Sequence, residues 1–114
     1  MKYFKIEEFE DTEGTGIFMK KDFLEKIDRA REIADIPFII TSGYRTEETN
    51  KRVGGVPNSS HLKGLAADIK CNNSIERIKI VRALILAGFT RIGIAKSFIH
   101  CDTDNIKTDS ICLY

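Results

Sequence analysis

In Ser59-Ser60-His61-Leu62-Lys63-Gly64-Leu65-Ala66-Ala67-Asp68 a histidine, a glycine and an aspartate stand at spacings that constrain everything around them. The chain has 2 histidines, and the other, His100, lies in Phe98-Ile99-His100-Cys101-Asp102. A histidine and a carboxylate on one stretch, joined by a histidine from a distant one, form a donor set that suits zinc. If His61 ends a loop and Asp68 sits on the following strand, the chain turns at Gly64 and the two side chains converge. The small residues around Ala66 then let backbones pass closely. His100 and Asp102 are two apart on an expected strand and share a face, while Cys101 points to the other and is a core residue. Read without a metal, His61 is a loop surface histidine and His100 a satisfied, partly buried one; spacing does not separate the two readings. Asp68 shifts the balance, because a carboxylate inside Leu65-Ala66-Ala67-Asp68-Ile69 is costly to bury unless paired or metal-bound. Three such ligands leave a fourth tetrahedral position open, the arrangement of a catalytic zinc.

Upstream of this stretch, Gly54-Gly55-Val56-Pro57-Asn58-Ser59 is loop. Thr46 caps a short helix from Glu47 to about Val53, after a turn at Ser42-Gly43-Tyr44-Arg45-Thr46. Pro37 to Thr41 reads as a short buried strand. Before it, Phe23, Leu24, Ile27, Ala30 and Ala34 mark an amphipathic helix from about Lys21 to Ala34, which Pro37 forbids from continuing. Residues 1–19 read as an extended arm anchored by Tyr3, Phe4, Phe9 and Phe18, with a turn at Gly14 and Gly16. Downstream, Leu65 to Cys71 is a strand, and Ser74 is the expected N-cap of a helix from Ile75 to Ala87. That helix presents Ile78, Val81, Leu84 and Ile85 and stops at Gly88. Thr90 to Ala95 and Phe98 to Asp102 are strands joined by a tight turn at Lys96-Ser97. A polar tail follows, and Ile111 to Tyr114 adds a short edge strand. The fold class is α+β: a small antiparallel sheet with helices packed on one face. One domain is expected over 1–114, made of the arm (1–19), a motif-bearing core (20–102) and a tail (103–114).

Composition narrows the function further. Lys+Arg 18 against Asp+Glu 17 argues against a dedicated nucleic-acid or membrane-surface binder. Cys71, Cys101 and Cys112 are an odd number without CxxC spacing and read as free thiols in a reducing compartment. Acids in Met1-Lys2-Tyr3-Phe4-Lys5-Ile6-Glu7-Glu8 stand where a signal peptide needs an apolar run, and no apolar segment is long enough to span a bilayer. The expectation is a monomer synthesised in the cytoplasm.

The decapeptide fits the SxHxxGxAxD motif of the M15 zinc peptidases, with Ser59, His61, Gly64, Ala66 and Asp68 in all its fixed places. Ser42-Gly43-Tyr44-Arg45 resembles the SGYR segment that precedes the motif in that family, and Asn50 to His61 resembles its linking stretch. Ile92-Gly93-Ile94 followed by Phe98-Ile99-His100-Cys101-Asp102 is similar to its GIG…FxHxD signature. The resemblance runs from about Phe18 to Asp102. It implies the small α+β fold of the DD-peptidases and the hedgehog signalling domain, with zinc held by His61, Asp68 and His100. It implies hydrolysis of amide bonds in peptidoglycan stem peptides, by a D,D-carboxypeptidase or an endolysin-type endopeptidase that acts on the wall once released, as in phages.

The sequence departs from the family at the catalytic acid/base. Many members carry a Glu or Asp just before the last zinc histidine, where this chain has Ile94, Ala95, Lys96, Ser97 and Phe98. Asp102 is the nearest carboxylate, either as general base on the attacking water or as the group that orients His100. Arg45 either clamps the substrate's carboxylate or steadies an oxyanion; otherwise it is a surface arginine paired with Glu47 or Glu48. Ser59 donates to substrate or to Asp68, or caps the loop. The missing acid also admits a zinc-binding module without turnover, and a metal-free structural piece of a phage particle is a third reading.

Overall fold

The computed structural model describes residues 1–10 and 19–114. The expected turn at Gly14 and Gly16 and the anchor Phe18 lie outside the described residues. Helix α1 (Lys21–Ala34) buries Phe23, Leu24, Ile27 and Ala30, the residues its three-to-four spacing puts on one face. It ends before Pro37 can act: Asp35 adopts a left-handed conformation (φ 55°), and its N–H donates to the Arg31 carbonyl. The N-terminal residues are not simply extended. Ile6–Phe9 closes one turn of 3-10 helix, and the backbone N–H groups of Lys2 and Tyr3 donate to the Asp28 carboxylate on α1. Phe4, Phe9, Phe23 and Phe89 then form an edge-to-face series through the core, with ring centroids 5.4, 6.5 and 5.8 Å apart. Each such ring removes enough apolar surface from water to stabilise the fold by roughly 1.5–3 kcal/mol.

The strands are β1 (Ile40–Ser42), β2 (Ala66–Lys70), β3 (Arg91–Ile94), β4 (Phe98–Asp102) and β5 (Ser110–Leu113), in the spatial order β1-β2-β4-β3-β5 among the described residues. The pairs β1/β2, β2/β4 and β3/β4 are antiparallel, but β5 runs parallel to β3. The sheet is therefore mixed and not the antiparallel one expected. The reason lies in the polar tail, which returns to the start of β3: Thr90 Oγ1 donates to Asp109, Ser110 N–H donates to the Thr90 carbonyl, and Arg91 donates to the Thr108 carbonyl. Entering there, β5 can only run alongside β3 in the same direction. The strand expected at Pro37 to Thr41 begins later and lies at the sheet's edge. Phe38 is buried, but Ile39 is 57% exposed, and the register with β2 slips between Ile40 and Ser42.

Thr46 caps α2 (Glu47–Arg52) as expected, accepting from Thr49 N–H. The cap of α3 (Ser74–Leu86) is Asn73 and not Ser74; its side chain accepts from Glu76 N–H at 2.8 Å. Its buried face is Ile80, Ala83 and Leu84, whereas Ile78 and Ile85 are half exposed. Apolar residues fall all round this helix, interleaved with Glu76, Arg77, Lys79 and Arg82, so periodicity selects no face, and contact with α1 decides it.

The sheet separates two environments. Ala67 and Ile69 of β2, Ile99 and Cys101 of β4, and Ile92 of β3 join the core with α1 and α3. Alternation along the strands therefore turns Asp68, His100 and Asp102 to the opposite face. No helix among the described residues is long and apolar enough to cross a membrane. Cys71 and Cys101 are buried and Cys112 is exposed, all as free thiols.

Candidate metal centre

Strand register does the first part of the assembly. Asp68 pairs directly with His100 across β2/β4, and Asp102 stands opposite the small Ala66. His61 arrives from Ser60–Lys63, a turn of 3-10 helix in which Ser59 Oγ accepts from the His61 N–H and which ends at Gly64 in the left-handed conformation. The result brings ligand atoms of His61, Asp68 and His100 within 4.8 Å of one another. Asp68 Oδ1 lies 2.9 Å from His100 Nδ1 and 3.4 Å from His61 Nε2.

The outward nitrogen of each ring is fixed, and this decides which nitrogen faces the centre. His61 Nδ1 is 2.7 Å from the Gly43 carbonyl. A carbonyl only accepts, so Nδ1 carries a proton there, and Nε2 is the nitrogen on the side of Asp68. Gly43 itself sits against the N-terminal segment; a Cβ there would stand 2.6 Å from the Phe9 carbonyl oxygen, so only glycine lets this carbonyl reach the histidine. His100 Nε2 donates to Asp102 Oδ2 at 2.8 Å, leaving Nδ1 for the centre. This is the pattern in which an outer acceptor orients a metal-ligating imidazole. Both residues and chemistry fit a divalent cation of the zinc type: two imidazole nitrogens and one carboxylate oxygen, each held in ligating orientation.

Electrostatics follow the same geometry. Burial pushes the Asp68 carboxyl up, but hydrogen bonds from His100 and His61 outweigh it and hold it well below the usual carboxylate range. Burial lowers the His100 pKa, while its bonds to Asp102 and Asp68 outweigh that and raise it to about 9. At Nδ1 a proton and a metal ion compete for one lone pair.

Asp102 is only 1% exposed and has both oxygens engaged. Oδ2 accepts from His100; Oδ1 accepts from Arg91 Nε at 2.7 Å and from Asp104 N–H at 3.1 Å. Burial raises its pKa, and the bonds from His100 and Asp104, with the charge of Arg91, bring it down below the usual value. It lies beyond His100 from the converging ligand atoms. Its bond to His100 Nε2 is the geometry of a group that orients that ring, and it also lines the cleft.

Arg45 is not paired with Glu47 or Glu48. Its Nη2 is 3.5 Å from Asp68 Oδ2, Nε donates to Ser42 Oγ at 3.0 Å, and Nη1 donates to Asn50 Oδ1 at 3.3 Å. It thus occupies the second oxygen of Asp68 and turns Oδ1 to the histidines. Ser59 is buried and uses its oxygen to accept from His61 N–H at 3.2 Å, with no contact to Asp68. Asp104 escaped sequence reading: 2% exposed, it accepts from Ser60 Oγ and Lys63 Nζ at 2.8 and 2.9 Å and ties the tail to the turn carrying His61. Nothing in a polar tail marks such a residue before the chain is folded. The ligands open onto a cleft of about 460 Å³ whose walls include Arg45, Gly55, Arg91, Phe98, Lys107 and Tyr114.

A three-ligand site of this kind on an α+β fold defines a metal-dependent hydrolase as the class to consider. A family model described as Peptidase M15 matches residues 2–102, and the chain belongs to that family. No curated protein matches it in a sequence search. M15 peptidases are zinc-dependent, and His61, Asp68 and His100 are the residues here that can hold the ion.

Proposed function

We propose that the protein hydrolyses amide bonds of peptidoglycan stem peptides, as a D,D-carboxypeptidase or an endolysin-type endopeptidase that acts on the cell wall once released. The observation that carries the reading is the pair of anchored imidazoles, His61 on Gly43 and His100 on Asp102, converging on Asp68 at the floor of an open cleft. Zinc held by these three residues would supply a Lewis acid for the scissile carbonyl and a water acidic enough to attack near neutral pH. Hydrolysis would exchange the amide C–N bond for a C–O bond, one proton of the water going to the leaving nitrogen, which departs as an amine, and the acyl fragment leaving as a carboxylic acid. Asp102 keeps the His100 ring in register for this, acting as a positioning residue. Arg45, Arg91 and Lys107 make the wall of the cleft cationic, which suits the free carboxylates of stem peptides. Arg45 is the one beside Asp68 and the residue we assign to the substrate's carboxylate or to the developing oxyanion. Ser59 reaches substrate only with its remaining donor proton, since its oxygen caps the turn. The fold relation to the DD-peptidases and the hedgehog signalling domain belongs to the same reading, as does a monomeric state.

A second reading has its own observation. Among the described residues, the carboxylates lining the cleft are Asp68 and Asp102, and each is already engaged by histidine and arginine. A zinc-binding wall module without turnover would look the same. Zinc-loaded protein incubated with muropeptides decides between them: the hydrolase releases free amino groups and His61→Ala abolishes the release. Muropeptide binding with no product at any pH establishes the module instead.

A further inference from the structure

β5 brings into the cleft a side chain that the ligand set does not use. Its parallel pairing with β3 puts Cys112 beside Gly93, and Tyr114 N–H donates to the Ile94 carbonyl at 3.0 Å. The Tyr114 ring then folds back across Gly93. A Cβ on Gly93 would stand 2.4 Å from ring Cε2 and 2.8 Å from the hydroxyl oxygen, so the seat exists only because that residue is glycine. Gly93 is paired with His100 on β4, and the phenol ring accordingly stands edge-on to the His100 ring, centroids 6.5 Å apart at 81°. Phe98 supports it from the side at 5.7 Å.

The hydroxyl is the part without a structural use. A phenylalanine would make the same ring contacts, and the hydroxyl of the exposed Tyr114 opens to the cleft. The cationic side chains around the cleft also hold protein groups: Arg45 holds Ser42, Asn50 and Asp68, Arg91 holds Asp102 and Thr108, and Lys107 holds the Asn58 carbonyl and Ser60. A phenolic O–H on the cleft wall beside the ligand cluster is a donor suited to a charge that develops during reaction.

We propose that Tyr114 is a catalytic residue, its hydroxyl donating a hydrogen bond to the scissile carbonyl oxygen as that oxygen becomes negative. The inference rests on the hydrolase reading above. Its test uses the full zinc-loaded chain as parent, Tyr114→Phe, Gly93→Ala and the double variant. Tyr114→Phe keeps the ring and should bind zinc as the parent does. Its kcat on muropeptide should fall about 10- to 100-fold with KM little changed, toward the low side for an oxyanion donor because Tyr114 is open to solvent. Affinity for a phosphinate dipeptide, a tetrahedral mimic, should fall by the same factor, whereas affinity for the product peptide should not. Gly93→Ala should displace the ring and lower kcat likewise, and the double variant should be no slower than the slower single. Parent-like kcat and phosphinate affinity in Tyr114→Phe overturn the inference, as does loss of zinc from that variant. A parent that turns over nothing defeats the hydrolase reading and this inference together, which is distinguishable from a turning-over parent matched by Tyr114→Phe.

Discussion

His61 and His100 are useful to a metal only because something else holds their far sides. The Gly43 carbonyl does this for one and Asp102 for the other, at 2.7 and 2.8 Å. Removing the second anchor should loosen His100 without removing a ligand. Asp102→Ala is expected to weaken zinc binding about 10- to 100-fold while keeping the stoichiometry, as measured by competition with a chromophoric chelator. The same residues set a pH dependence. The His100 pKa in the metal-free protein is raised from 6.5 to about 9, so its protonated form contributes stability below pH 6.5 that is lost as pH rises through about 9. Asp68 is depressed below 3.8, and its contribution is present above that pH and lost as pH falls through the folded value. Zinc must displace the His100 proton over the upper window. Its affinity should therefore rise by up to about tenfold per pH unit from 6.5 to 9, and the zinc-induced gain in Tm should grow in step.

At the scale of elements, the ends and faces of helices separate what the chain declares from what packing decides. Asn73, and not Ser74, accepts the Glu76 N–H. Asn73→Ala is then expected to cost about 1 kcal/mol and Ser74→Ala a few tenths at most, read from urea unfolding midpoints at constant slope. Both residues are good caps by type, and only the backbone conformation, extended at Asn73 and helical from Ser74, chooses between them. The same limit explains α3's face: with isoleucines at 75, 78, 80 and 85, no period stands out, and the α1 contact selects Ile80. By contrast α1, with charges regularly opposite its apolar stripe, is legible to the residue. The meeting of His61, Asp68 and His100 was legible too, because a rare residue type stood at fixed spacing from a carboxylate in an apolar strand. Their anchors were not equally so. A backbone carbonyl at Gly43 has no side-chain signature, and the contacts of Asp102 with Arg91 and His100 exist only in the folded chain. β5's parallel direction depends on side-chain ties in the tail at Asp109 and Thr108, which no local pattern announces. Tyr114 entered the cleft as a consequence.

Across the whole molecule, one sheet divides the labour. The face turned to α1 and α3 supplies the apolar core, and the reverse face carries Asp68 and His100 at positions one residue removed from core positions. A one-residue slip of β4 against β2 would bury His100 in the core and expose Cys101, so the core that fixes the register also fixes the metal centre. We propose that this register makes a site for one zinc ion per chain. Titration of zinc into the chelator-stripped full chain, followed by calorimetry, tests it most directly. The expected result is one ion per chain, with binding lost or weakened at least about 100-fold in His61→Ala, Asp68→Ala and His100→Ala. Absence of binding in the parent, or binding that survives all three substitutions, would contradict it.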